Sequence, residues 1–145
     1  MKYSYPVSLE PQDDGSVFVS FPDVPEALTE TDNAAEALAE ALDCLIAALG
    51  GYINDSRHLP KPSNKKSEQR LVSLPPLMSV KLALHELMLE HKITRVALGE
   101  KLGVSKRAIR ELLDLDHSSR IEQVNAALAV FGKEIVVEIH DVETS

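Results

Sequence analysis

Thr94 to Leu113 reads TRVALGEKLGVSKRAIRELL, and this stretch decides how the second half of the chain folds. Two short helical patterns meet there around Gly103-Val104-Ser105. Leu98, Leu102, Val104, Ile109 and Leu112 are spaced as the shared apolar contacts of two helices crossing at a tight turn. Gly103 supplies the permissive backbone such a turn needs. Thr94 and Ser105 stand where a hydroxyl caps the helix that follows. At about 100° per residue, Lys106, Arg107 and Arg110 fall on one side of the second helix, and Ile109, Leu112 and Leu113 on another. An apolar inner face and a cationic outer face behind a glycine turn predict a helix-turn-helix.

That prediction assigns chemistry to each residue. Arg107 and Arg110 reach guanine edges in a major groove, Lys106 and Ser105 hold phosphates, and Thr94 anchors the first helix. The competing reading is a solvated charged face on a small helical bundle. The Gly-Val-Ser turn followed directly by cations favours binding to double-stranded DNA.

Working outward, Ser79 to about His91 predicts a helix with Val80, Ala83, Leu84, Leu87 and Met88 inward. Asp114 to Ser118 is a loop. Ser119-Arg120-Ile121-Glu122 has the form of a capping box, opening a helix whose Ile121, Val124, Leu128 and Phe131 face the core and which Gly132 stops. Lys133 to His140 then alternates, with Ile135, Val137 and Ile139 on one side. An unpaired strand leaves free N–H and C=O groups. Pairing with the same strand of a second chain gives a two-fold dimer, alone or joined into a tetramer. Pairing back onto the first half is the alternative.

The first half reads β-β-β-α-β. Tyr3 to Glu10 and Ser16 to Phe21 are strands around an Asp13-Asp14-Gly15 turn. Pro22 to Pro25 end the second strand, and a short third strand lies near Ala27 to Glu30. Asn33 with Glu36 signals a helix from Ala34 that buries Ala37, Leu38, Ala41, Leu42, Leu45, Ile46 and Leu49 and runs on to about Asn54. Residues 56–70 are an exposed loop, and Leu71 to Leu74 is the fourth strand, closed by Pro75-Pro76. The expected fold class is α+β, divided into units 1–76 and 77–145.

Composition bounds the function. The 145 residues are 44% apolar and 26% charged, as in ordinary globular chains. No apolar run is long enough to cross a bilayer, and a lone Cys44 fits a reducing compartment, so a cytoplasmic location is expected. The net charge of −8 is uneven: six basic and twelve acidic residues lie in 1–78, nine and eleven in 79–145. A basic face on the near-neutral second half still suits phosphate, and the acidic first half suits a basic partner.

Catalytic readings are weak. His85-Glu86 begins like a zinc-protease helix, but position 89 is Leu, so two ligands cannot converge. Asp13 and Asp14 are turn residues, and Cys44 has no neighbouring cation to activate it. The chain reads as a binding protein, not an enzyme, with no cofactor or metal.

Two segments together resemble the HicB-type antitoxin family. The first runs from Tyr5-Pro6-Val7 through Gly15 and Val17–Phe21 to Phe21-Pro22-Asp23-Val24-Pro25, Thr29, Glu36-Ala37 and 41–45. The second is the module from Thr94 to Ile139. The resemblance implies an antitoxin of the type II class. Its first unit would be a reduced ribonuclease H-like fold that binds a small basic HicA-type toxin cleaving messenger RNA. Its second unit would bind its own operator as a dimer and repress the operon. Gly99 departs from the motif, which usually has Ala there; glycine costs a helix about 1 kcal/mol. Phe21, Asp23 and Pro25 are candidate toxin contacts, as a strand-end motif beside an acidic surface; the prolines shaping a loop over a buried Phe21 is an equal alternative. A one-component regulator whose first unit senses a small ligand is the alternative function, and a degenerate nuclease the third.

Overall fold

The computed structural model describes residues 2–142. β1 (Ser4–Pro11) and β2 (Val17–Phe21) form the expected hairpin, and Asp14 stiffens its turn by accepting from the backbone N–H of Ser16 at 3.0 Å. β3 (Val24–Thr31) begins sooner than Pro25 suggests. The strand order is β3-β2-β1-β4, all antiparallel, so β3 is an edge strand, where proline is tolerated. β4 (Arg70–Ser73) closes the other edge against β1.

Helix α1 (Ala37–Asn54) lies across this sheet. It starts three residues later than Ala34, because Asn33 Oδ1 accepts from the Glu36 N–H at 3.1 Å and closes a separate turn first. It passes through Gly50-Gly51 to Asn54 as its period requires. By length and composition alone it is apolar enough to cross a membrane, a test that the core helix of a folded domain also passes. In the fold, Ala37, Ala41, Leu45 and Leu49 are buried against the sheet with Tyr5, Val7, Val19 and Phe21.

The rest is helical: α2 (Pro76–Glu90), α3 (Arg95–Leu102), α4 (Lys106–Leu113) and α5 (Ile121–Ala129). Helix α2 packs on α4 and α5, α3 on α4 and α5, and the buried apolar residues run without a break from the sheet into this bundle. Three ties join the halves through α2 and α3. The imidazole of His85 bonds the Arg57 carbonyl at 2.7 Å, Glu86 accepts from the Leu59 N–H, and Arg95 donates to the Ile53 carbonyl at 3.5 Å. The loop 56–70 is exposed except for the buried Leu59 and Gln69 and the half-buried Pro60.

Four expectations are corrected here. Leu38 is 37% exposed and Val104 and Ile121 are 42% exposed, rather than core residues. Ser119 makes no capping box: Arg120 stands at the N-cap of α5, and the Ser119 hydroxyl turns inward to donate to the Glu111 carbonyl at 3.2 Å. Residues 133–142 form no strand in the single chain, since a ladder needs a partner. Nor do Ile135, Val137 and Ile139 share one environment. Ile135 is half-buried with its N–H on Asn125 Oδ1 at 3.1 Å, while Val137 and Ile139 are 78% and 91% exposed.

Gly50 and Gly51 lie within α1 with open space where a Cβ would stand. Alanine at either position should therefore raise the unfolding free energy by about 0.5–1 kcal/mol in denaturant titration; a loss at both would show that the open space is needed.

Candidate nucleic-acid interface

Helices α3 and α4 are eight residues each, too short to persist alone, so their ends and their packing must hold them. Both N-termini are capped as read: Thr94 Oγ1 accepts from the Ala97 N–H and Ser105 Oγ from the Ala108 N–H, each at 3.1 Å. Gly103 ends α3 at φ 68°, a left-handed conformation that glycine adopts without strain. Gly99 is buried, and a Cβ there would come 3.1 Å from the Val104 carbonyl oxygen. The glycine thus gives up helix propensity for a close approach of α3 to the turn.

Ile109, Leu112 and Leu113 bury one side of α4, and Lys106, Arg107 and Arg110 stand exposed on the other. The structure thereby brings the three predicted cations together. Thr94 and Ser105 are exposed as well, and each hydroxyl accepts at its cap while keeping its O–H to donate. Arg107 Nε donates to Glu111 at 3.1 Å, one turn further along the helix. Arg110 has no ion pair among the described residues. It lines a cleft of about 410 Å³ between α4 and the end of α1, together with Arg95, Gly50, Gly51 and Asp116. Arg95 was missed in the sequence because no helical face marks it; it sits at the first position of α3, beside the end of α1, where a cation complements the helix dipole.

Lys81 is the other residue missed. It lies inside the bundle at 0% exposure. Its ammonium group donates to the carbonyls of Glu111 at 2.9 Å, Asp114 at 2.6 Å and His117 at 2.7 Å. Burial pushes its pKa down, while the charges of Asp114 and Glu111 pull it back up. Helical spacing placed Val80 and Leu84 inward and gave no cause to bury the lysine between them.

Of the candidate toxin contacts, Phe21 is 2% exposed and belongs to the core, which removes it from any docking surface. Asp23, at the β2–β3 turn, accepts from the backbone N–H and the hydroxyl of Ser63, both at 2.9 Å, and so pins the long loop. Pro25 is exposed on β3. His85 and Glu86, the fragment of a zinc motif, both hold backbone of residues 57–59.

An α+β chain with an antiparallel sheet, a helical bundle and one short cationic helix suits a regulatory binding protein, and the comparisons sharpen that class. Residues 4–83 match the family described as HicB_like antitoxin of bacterial toxin-antitoxin system. The chain is 38% identical over 135 residues to Antitoxin HicB 1 of Photorhabdus laumondii, covering 93% of this chain and 86% of that one. It is 36% identical over 131 residues to Antitoxin HicB of Escherichia coli K12, covering 90% and 95%. With Antitoxin HicB of Pseudomonas fluorescens it shares 32% over 139 residues, covering 95% and 93%. The chain belongs to the HicB-like antitoxin family, and its function is that of an antitoxin in a toxin–antitoxin system.

Burial lowers the pKa of His85 from its ordinary 6.5. In the unfolded chain His85 takes up its proton at the ordinary pH; in the folded chain it does so only at lower pH. The contribution is therefore intact above about pH 6.5 and lost as pH falls below it. Urea titrations from about pH 7.5 to 5 should show declining stability, with a shallower decline in His85→Gln; equal slopes would contradict this.

Proposed function

We propose that the chain neutralises a HicA-type toxin through residues 1–76 and represses its own operon through residues 77–145. In this reading α3 and α4 are the helix-turn-helix. Arg107 and Arg110 read base edges in the major groove, and Lys106 and Ser105 hold phosphates. The observation that carries it is the exposed cationic face of α4, presented by a helix whose other side is buried. The apolar tail, with Val136 79% and Ile139 91% exposed, supports association of two chains, each supplying the other with the strand it lacks. The first unit, with twice as many acidic as basic residues over 1–78, suits a basic toxin, and its β-β-β-α-β order is compatible with a reduced ribonuclease H-like fold.

A second reading, a one-component regulator responding to a small ligand, draws on the 410 Å³ cleft where Arg95 and Arg110 face the end of α1. A ligand that changed DNA affinity with no toxin present would favour it.

Arg107→Ala or Arg110→Ala should each weaken operator binding by about 1–3 kcal/mol in fluorescence anisotropy, with toxin binding unchanged in a pull-down. Parental operator affinity in both variants would show that α4 is not the recognition helix.

A further inference from the structure

The C-terminal end of α4 is built unusually. Asp114 at the C-cap is extended, at φ −80° and ψ 113°, so no left-handed residue closes the helix, and the Asp114 N–H returns to the Glu111 carbonyl at 3.3 Å. The carbonyls of Glu111 and Asp114 at this end and of His117 in the loop beyond accept backbone N–H groups of Asp114, His117 and Ser119, and each has room for a second donor. Lys81 reaches them from α2, and one ammonium group meets three carbonyls within 2.9 Å. An ammonium suits this task, with three donors on a single atom; the planar fork of arginine cannot converge in the same way. No carboxylate forms an ion pair with Lys81 among the described residues. Its charge is balanced instead by the negative end of α4 and by the fields of Asp114 and Glu111.

A leucine at this position would carry no charge to bury. What the lysine adds is direction. An apolar contact tolerates sliding and rotation of one helix on another, whereas three convergent hydrogen bonds admit one arrangement. The clamped carbonyl of Glu111 also receives the Ser119 hydroxyl at 3.2 Å, and the Glu111 carboxylate holds Arg107 on the outer face. A continuous set of bonds thus runs from the buried ammonium to a cation on the exposed side of α4.

We propose that Lys81 is the positioning residue for operator recognition: it never touches DNA, but fixes the end of α4 from inside and so sets the angle at which Lys106, Arg107 and Arg110 are presented. This rests on the operator-binding reading above. The test compares full-length parent, Lys81→Met and Lys81→Arg for binding to a duplex from the promoter of the chain's own operon and to a random duplex of equal length. A fourth protein, Lys81→Cys in a Cys44→Ser background, is alkylated while unfolded with bromoethylamine to restore an ammonium on a stem of similar length, then refolded.

At a temperature where circular dichroism shows each protein folded, Lys81→Met should lose operator affinity at least tenfold while random-duplex affinity changes less than twofold. Lys81→Arg should fall between parent and Lys81→Met, and the alkylated protein should recover most of the loss. A lysine that served stability alone would leave the ratio of operator to random affinity unchanged among the folded proteins, and that result overturns the proposal. If Lys81→Met does not fold, Lys81→Arg and the alkylated protein decide in the same way: a parental ratio in Lys81→Arg, or no recovery on alkylation, overturns it. A parent that binds neither duplex specifically would refute the operator reading itself and this proposal with it.

Discussion

Three backbone carbonyls, those of Glu111 and Asp114 at the end of α4 and of His117 in the loop beyond, meet a single buried ammonium group. A buried charge without partners costs on the order of several kcal/mol. The three carbonyls relieve that penalty for Lys81, and through them the lysine ties the α4 terminus and its loop to α2. Helix α2 carries this lysine toward α4 while its His85 and Glu86 hold the 57–59 backbone of the first half. One helix therefore holds both the cationic helix and the sheet-bearing half.

That arrangement explains how so short a helix can be useful. Eight residues cannot sustain α4 by backbone hydrogen bonds alone. The Ser105 cap at one end, the lysine clamp at the other and the apolar contacts of Ile109, Leu112 and Leu113 hold it, and leave its outer face free of structural duty. The three cations stand there. Gly99 contributes by admitting the Val104 carbonyl close to α3 at the turn.

Legibility in the sequence followed the range of the interaction. Thr94, Gly103, Ser105 and the stripe of Ile109, Leu112 and Leu113 were readable because caps, turns and periodicity are local, and so was the β-β-β-α-β order. Lys81 was not, since a lysine is ordinarily solvated and its partners lie 30 to 36 residues away. Ser119 had the spacing of a cap, but a hydroxyl inside the bundle was worth more to the Glu111 carbonyl than to α5. Asp23 stood out as a surface carboxylate; its use is to hold Ser63, a contact of forty residues' separation that no pattern announces. The alternation of Ile135, Val137 and Ile139 was real in the sequence, but one chain has no second strand to turn it into a ladder, and the core claims Ile135.

The central claim is a division of labour: toxin on the sheet-bearing half and operator on α3 and α4. Hydrogen–deuterium exchange of the full chain, alone, with the toxin and with the operator duplex, tests it most directly. The account predicts that operator slows exchange across 95–113, while toxin slows it within 1–76 and leaves the exposed turn at 103–105 unchanged. Operator protection centred on the sheet, or none over α4, would contradict it.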